Sequence, residues 1–247
     1  MNTVRDLLVI NPNTTEAITR LLQEHVQREV GSGFVVRAVT ARFGAPYIAD
    51  EASYAVAAHA VLDVLLPPPP GEGWGGGAAA FTAPGAPPSP PSPGGGRSKA
   101  ADAVLIGCFG DPGLFALRES SPVPVTGLAE ASFIEAARHG RFAIVTGGAR
   151  WEPMLRRLAQ ALGFDAALAG IHTVAPTGAE LAADRDGARA LLAQACAEAT
   201  RRFDARAVIV GGAALAGMAA ELQGRCAVPL IDSVAAGARR IAAALRD

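Results

Sequence analysis

A cysteine followed by a glycine-rich turn is the most reactive feature of this 247-residue sequence. Cys108 comes directly after an apolar stretch and is followed by Phe-Gly-Asp-Pro-Gly. A thiolate can act as a nucleophile or a base, and N–H groups at the start of a helix lower the pKa of a thiol. We therefore predict that Cys108 is functional, although a buried free cysteine can also serve only as a small hydrophobic residue. Cys196, within a predicted helix, and Cys226, in a predicted loop, are expected to be structural.

Small and polar residues also follow three other predicted strands. In an open parallel α/β sheet, ligands bind beyond the carboxyl ends of the strands. Backbone N–H groups at the helix starts found there attract carboxylates and oxyanions. The sequence thus predicts an anion-tolerant pocket built from segments 11–15, 108–113, 146–148 and 211–214. Asn13 or Thr14 can alternatively be the N-cap of the helix that follows.

Several motifs that would indicate other chemistry are absent from the sequence. There is no G-x-S-x-G, no G-x-x-x-x-G-K-[ST] and no G-x-G-x-x-G after the first predicted strand. Their absence argues against a serine hydrolase, a P-loop nucleotide site and a dinucleotide site. The four histidines are widely spaced, and the sequence contains neither H-E-x-x-H nor C-x-x-C. No metal site is therefore expected.

Alternating strands and helices are expected to position these residues. Short β-branched runs predict strands at 7–10, 34–39, 103–107, 123–125, 142–145, 171–174, 207–210 and 229–231. Apolar residues at i, i+3, i+4 spacing predict helices at 14–30, 51–65, 152–162, 187–203 and 233–245. Such alternation is typical of parallel sheets crossed over by helices. The sequence therefore predicts a doubly wound α/β fold.

A weak internal repeat divides the predicted elements into two halves. The strand sequence that ends at Asn11 is similar to the one that ends at Thr146, and the one that ends at Cys108 is similar to the one that ends at Gly212. In the first half, the two strand ends are further apart in the sequence than in the second half, by about the length of segment 67–98. Removing that segment would therefore bring the two halves into near register. The repeat therefore pairs Cys108 with Gly212.

Segment 67–98 differs in composition from the rest of the chain. It holds 10 of the 18 prolines and 9 of the 28 glycines, so it has few residues that could form a core. Such a segment cannot bury enough apolar surface to offset the entropy lost on ordering. We predict a disordered insertion between a helix and the next strand, possible sources being a late insertion or an out-of-frame stretch of the gene. A Pro-rich partner-binding segment and a plain linker are the alternatives.

Charge and cysteine content narrow the class of protein. The chain has 22 basic and 23 acidic residues, a formal net charge of -1 and no Lys/Arg cluster, which leaves no electrostatic surface for nucleic acid or an anionic membrane. The first residues lack a secretion signal, and no apolar run reaches the roughly 18 residues of a membrane span. Three cysteines are more consistent with free thiols than with disulfides. We predict a cytoplasmic protein with a small-molecule ligand, and a homo-oligomer as is common for enzymes.

Four segments together resemble the hydantoin and allantoin racemases of the aspartate/glutamate racemase superfamily. They are VINPNTT at 9–15, GAPYI at 44–48, CFGDPGL at 108–114 and GLAEA at 127–131, and the likeness extends to PLID at 229–232. The resemblance implies two pseudo-symmetric, doubly wound parallel-sheet domains with the active site between them. Together with the repeat, it predicts a first domain of residues 1–127 plus 232–247 and a second of residues 128–231. It also implies a cofactor-independent isomerase.

The resemblance further implies a mechanism that uses two cysteines. One thiolate removes the proton α to a carbonyl and the other thiol returns a proton on the opposite face, while nearby N–H groups stabilise the enolate-like charge. Cys108 matches the first cysteine, whereas Gly212 stands where the second is expected. Neither Cys196 nor Cys226 follows the required strand. The expected substrate contacts are Asn13, Thr14, Phe109, Gly110, Thr146, Gly212 and Ala213.

The missing second thiol leaves several functions open. The leading hypothesis is a racemase or epimerase acting on a hydantoin, allantoin or amino-acid-like substrate, in which another group or water replaces the second thiol. A one-cysteine decarboxylase of malonate-type acids would protonate from one face only. The arylmalonate decarboxylases are such enzymes, but they resemble the reverse case and keep the second cysteine. The third alternative is a non-catalytic relative that binds carboxylates.

Overall fold

The computed structural model describes residues 4–65 and 101–246. These residues form two four-stranded parallel sheets with helices packed against them. The segment predicted to be a disordered insertion, 67–98, lies outside the described residues. In the two described ranges, no helix is both long enough and apolar enough to cross a membrane.

The first sheet has the strand order β2-β1-β3-β4. Its strands are β1 (Arg5–Asn11), β2 (Phe34–Thr40), β3 (Ala103–Ile106) and β4 (Val125–Gly127), and the helices that follow them are α1 (Glu16–Val30), α2 (Glu51–Leu65), α3 (Leu114–Ser120) and α4 (Leu128–Ala137). All of β3 and all but the first residue of β1 are buried. Central strands of a parallel sheet are covered on both faces, which explains their nearly continuous apolar sequences.

The second sheet has the order β6-β5-β7-β8. Its strands are β5 (Phe142–Gly147), β6 (Leu168–Val174), β7 (Ala207–Gly211) and β8 (Leu230–Asp232), with helices α5 (Trp151–Ala161), α6 (Gly178–Ala183), α7 (Arg185–Phe203), α8 (Met218–Leu222) and α9 (Ser233–Ala243). This order repeats that of the first sheet. The predicted pair of pseudo-symmetric α/β halves is thereby confirmed, and β3 and β7 occupy equivalent places, so Cys108 and Gly212 follow equivalent strands.

The sequence patterns predict the long elements and omit four short helices. The predicted helix 51–65 coincides with α2, and the other predicted elements differ from the observed ones by a few residues at their ends. The helices α3, α6 and α8 are too short to show a repeated i, i+3, i+4 pattern. Helix α4 is longer, but it is buried on most sides and therefore lacks a polar face that would reveal its period.

Helices α4 and α9 connect the two halves. Helix α4 packs against α9 and β7, whereas α9 packs against α1, β3 and β4. The largest cluster of buried apolar side chains accordingly draws on both sheets, and the rings of Phe133 and Phe142 stack there with centroids 5.7 Å apart. The domain boundaries predicted at residues 127 and 232 coincide with the ends of β4 and β8. The division into those two domains stays a prediction.

Candidate functional site

The loops after β1, β3, β5 and β7 border one cavity of about 250 Å³. Most of the predicted contacts line it, namely Asn13, Cys108, Phe109, Thr146, Gly212 and Ala213, whereas Thr14 and Gly110 do not. Apolar side chains such as Ile18, Ile48 and Leu215 form much of the remaining wall. No Asp, Glu, Lys or Arg lies among the described residues that line this cavity. It is therefore a largely apolar site whose polar groups are hydroxyl, amide and backbone groups.

Asn13 reaches the cavity from the loop after β1. Its side-chain oxygen accepts hydrogen bonds from the Thr15 N–H at 2.9 Å and from the side-chain nitrogen of Asn11 at 3.0 Å. The N-cap of α1 is Thr15, whose hydroxyl donates to the Pro46 carbonyl at 2.6 Å. The alternative that Asn13 or Thr14 is the N-cap is therefore wrong. The Asn13 side chain instead stabilises the loop ahead of the helix.

The two predicted contacts outside the wall stabilise the loops beside it. The Thr14 N–H donates to the Ala45 carbonyl at 3.1 Å. The Gly110 carbonyl accepts a hydrogen bond from the Tyr54 hydroxyl at 2.8 Å, and Gly110 has a φ of +139°. A Cβ at Gly110 would lie 2.5 Å from the Trp151 ring. Glycine here lets the ring approach the turn that follows Cys108.

Cys108 is nearly buried in an apolar and aromatic environment. It is 8% exposed and packs with Ile48 and Ala57, with Tyr54 and Trp151 against the same cluster. Burial raises the pKa of the Cys108 thiol well above its usual range, and the negative charge of Asp111 raises it further. The expectation that helix-start N–H groups lower this pKa is wrong, because loss of hydration by the thiolate is the larger effect.

The wall on the β7 side has no thiol. Gly212 has a φ of +146°, and its N–H donates to the Ser233 hydroxyl at 3.2 Å. A Cβ at the preceding Gly211 would lie 2.2 Å from the Phe109 ring. The Phe109 ring thus packs directly on Gly211. The ends of β3 and β7 therefore meet at the cavity.

Thr146 and Trp151 complete this side of the site. The Thr146 hydroxyl donates to the Gly211 carbonyl at 2.8 Å, which ties the end of β5 to the end of β7. Trp151, the first residue of α5, lines the cavity, and its ring centroid is 6.5 Å from that of Tyr54. The motifs do not predict Trp151. The available signal is a large aromatic residue soon after a strand end in a chain with few aromatic residues, since such residues often contact ligands.

Within residues 4–65 and 101–246, no group of three or more His, Cys, Asp or Glu side chains is arranged to hold a metal ion. Cys196 is buried in α7 and Cys226 is partly exposed before β8, and neither lines the cavity. Among the cysteines, only Cys108 therefore borders the cavity.

Comparison with known proteins agrees with this architecture. The family model described as Asp/Glu/Hydantoin racemase matches residues 7–241. The hydantoin racemase of Paenarthrobacter aurescens is 30% identical over 240 residues, which cover 94% of this chain and 88% of that protein.

Two solved structures share the fold. The allantoin racemase of Pseudomonas fluorescens has a TM-score of 0.83 at 23% identity, over 98% of this chain and 91% of that one. The allantoin racemase of Klebsiella pneumoniae has a TM-score of 0.79 at 28% identity, over 96% of this chain and 86% of that one. These matches confirm the resemblance seen in the motifs, and the chain belongs to the Asp/Glu/Hydantoin racemase family.

Proposed function

We propose that the protein is a cofactor-independent racemase or epimerase that removes the proton α to a carbonyl of a hydantoin, allantoin or amino-acid-like substrate. The observation that carries this proposal is the position of Cys108, which follows β3 and borders the cavity of a chain from a racemase family. The curated relative from Paenarthrobacter aurescens is named a hydantoin racemase, which supports the same substrate class.

Cys108 is the proposed base. A proton α to a carbonyl is weakly acidic, so a base that holds its proton tightly makes the transfer less unfavourable. The raised pKa of the Cys108 thiol supplies such a base once the thiol is ionised. The same burial keeps the ionised fraction small, so the reaction would speed up as the pH rises towards the thiol pKa.

Asn13 is a proposed hydrogen-bond donor to the substrate. Its side-chain oxygen is already used by Thr15 and Asn11, which leaves the amide NH2 group to donate. Asn13 is 7% exposed and borders the cavity. A donor beside the carbonyl would stabilise the negative charge that develops on its oxygen when the proton leaves.

The composition of the cavity wall favours a neutral substrate. A carboxylate that enters an apolar site loses hydration, and it is stabilised well only by charged partners or several N–H groups. The described wall has no arginine or lysine. We therefore expect a 5-substituted hydantoin ring to bind better than a dicarboxylic amino acid such as glutamate.

Gly212 makes the two faces of the substrate unequal. Without a side chain at Gly212, the second proton would come from water or from a hydroxyl such as that of Thr146, which are weaker acids than a thiol. Exchange of the α-proton through Cys108 would then be faster than inversion. The same observation favours a second candidate function, a decarboxylase of malonate-type acids that protonates from one face.

Deuterium exchange tests the assigned base. The native protein in D2O is expected to replace the α-proton of a 5-substituted hydantoin, followed by loss of its NMR signal against a protein-free baseline. Cys108→Ala should slow this exchange by about 10²-fold to 10⁴-fold, because it removes a positioned general base. Cys226→Ala, outside the cavity, is the matched control and should exchange normally.

Three outcomes would overturn the proposal. Unchanged exchange in Cys108→Ala would show that another group is the base. Release of carbon dioxide from an arylmalonate without hydantoin exchange would favour the decarboxylase. Thermal stabilisation by hydantoins or carboxylates with no exchange or turnover would indicate a non-catalytic binding protein.

A further inference from the structure

A buried carboxylate next to Cys108 has no part in the proton transfer described above. Asp111 is 1% exposed and has a φ of +53°, which is unusual for a residue other than glycine. Its N–H donates to the Cys108 carbonyl at 3.2 Å, and its own carbonyl accepts from the Leu114 N–H at 3.1 Å. Asp111 therefore closes the turn that carries Cys108.

The Asp111 side chain connects this turn to the start of α4. One carboxylate oxygen accepts from the Ala129 N–H at 2.8 Å and the other from the Glu130 N–H at 2.7 Å. A Cβ at Gly127 would lie 2.1 Å from the carboxyl carbon of Asp111, so Gly127 leaves the space that this carboxylate occupies. Since α4 packs against β7 of the other half, the Cys108 turn is anchored to an element that contacts both sheets.

We propose that Asp111 is a positioning residue that fixes the Cys108 turn on α4 and, through its negative charge, makes the Cys108 thiolate a stronger base. This inference rests on the proposed role of Cys108. A nearby negative charge opposes ionisation of a thiol, and a thiolate formed beside it binds a proton more tightly. The Asp111 side chain thus determines both the position and the basicity of the Cys108 thiol.

Several other groups face Asp111. The Tyr54 hydroxyl is close, and its pKa is raised by burial and by the charges of Asp111 and Cys108. Glu130 carries a further negative charge; its carboxylate pairs with Arg118 at 2.7 Å and accepts a hydrogen bond from the Thr126 hydroxyl at 2.7 Å. Burial raises the pKa of Asp111 to about 7, against the opposing effect of the Glu130 and Ala129 N–H groups. Asp111 is therefore charged above neutral pH and increasingly protonated below it.

The alkylation rate of Cys108 by iodoacetamide measures this effect without reference to catalysis. The rate is followed by mass spectrometry of the Cys108 peptide near the ordinary thiol pKa of about 8.5. Asp111→Asn removes the charge and should raise the rate about threefold or more, because a lower pKa increases the thiolate fraction more than it reduces nucleophilicity. An unchanged or lower rate in a folded variant would overturn the proposal.

Asp232→Asn is the matched control. Asp232 is also a carboxylate that accepts hydrogen bonds from N–H groups at the start of a helix, α9, but it ends β8 and does not belong to the turn that carries Cys108. Its substitution should leave Cys108 alkylation unchanged. An equal rise in both variants would show that general loosening of the fold, and not the charge of Asp111, controls the thiol.

The native protein supplies a test that needs no variant. For an isolated thiol, the logarithm of the alkylation rate rises by about one per pH unit below the thiol pKa. Because Asp111 ionises near pH 7, the rise for Cys108 should flatten as the pH passes through that region. A straight line of unit slope through neutral pH would contradict the coupling, and it would do so whether or not the protein exchanges hydantoin protons.

Discussion

The two halves of the molecule anchor the equivalent helices α4 and α9 with carboxylates that come from different positions in the fold. In the second half, Asp232 ends β8 and accepts from the Val234 and Ala235 N–H groups at 3.0 Å and 3.1 Å, while its other oxygen accepts from the Gly217 N–H at 2.7 Å. In the first half, the carboxylate is Asp111, and Gly127 ends the equivalent strand β4. Both arrangements tie a strand-end turn to the start of a helix.

The difference lies in what stands next to the charge. The first half places its carboxylate in the same turn as Cys108, whereas the second half places its carboxylate at the end of β8 and has Gly212 at the position equivalent to Cys108. The structural role is therefore shared and the proposed chemical role is not. The two similar halves thus differ where they meet the cavity, with a thiol after β3 and a glycine after β7.

The Asp111 arrangement is most easily broken at Gly127. Gly127→Ala should reduce the free energy of unfolding by about 3 kcal/mol, because its Cβ would overlap the Asp111 carboxyl and displace a buried hydrogen-bonded charge. Urea unfolding measures the loss. Gly33→Ala, where a Cβ would meet nothing within 4 Å, is the control and should change stability by less than about 0.5 kcal/mol. Equal stability of the two variants would show that the close approach of Gly127 and Asp111 is unimportant.

Placing a thiol at the end of β7, where it would border the cavity, should reduce the asymmetry at a smaller loss of stability. A Cβ at Gly212 would have ordinary contact with Leu215 at 3.4 Å, but the φ of +146° is rarely adopted by residues with side chains. Gly212→Cys is therefore expected to lose about 1 to 2 kcal/mol of stability and to raise the ratio of inversion to proton exchange. Gly212→Ala shares the backbone cost and lacks the thiol, so its ratio should stay at the native value. If the ratio of inversion to proton exchange also rose in Gly212→Ala, the change in the backbone and not the new thiol would be responsible.

The sequence predicts those parts of the site that lie in continuous segments. Cys108 and its glycine-rich turn can be recognised because they follow an apolar run, and the repeat aligns that run with the one before Gly212. Strand β3 and strand β7 are buried on both faces, so their apolar sequences identify them. Segments of this kind carry their structural signal locally.

Features that depend on contacts between distant segments could not be predicted. In the sequence, Asp111 is indistinguishable from an ordinary turn residue. Only the tertiary structure shows that its carboxylate accepts two N–H groups at the start of α4. The upward direction of the Cys108 pKa depends on burial by Ile48, Tyr54 and Trp151, which come from the loop after β2 and from helices α2 and α5. The sequence shows a thiol near a helix start, whereas the tertiary structure decides whether hydration or N–H groups control its ionisation.

In the proposed reaction, one face of the substrate meets a base and the other does not. Following the α-proton of each pure enantiomer of a 5-substituted hydantoin in D2O by NMR, with optical rotation recorded on the same sample, tests it most directly. We expect the native protein to incorporate deuterium faster than it inverts the substrate, for at least the enantiomer whose α-proton faces Cys108. Equal rates of incorporation and inversion from both enantiomers would contradict the account, since they would require an equally effective acid on the Gly212 side.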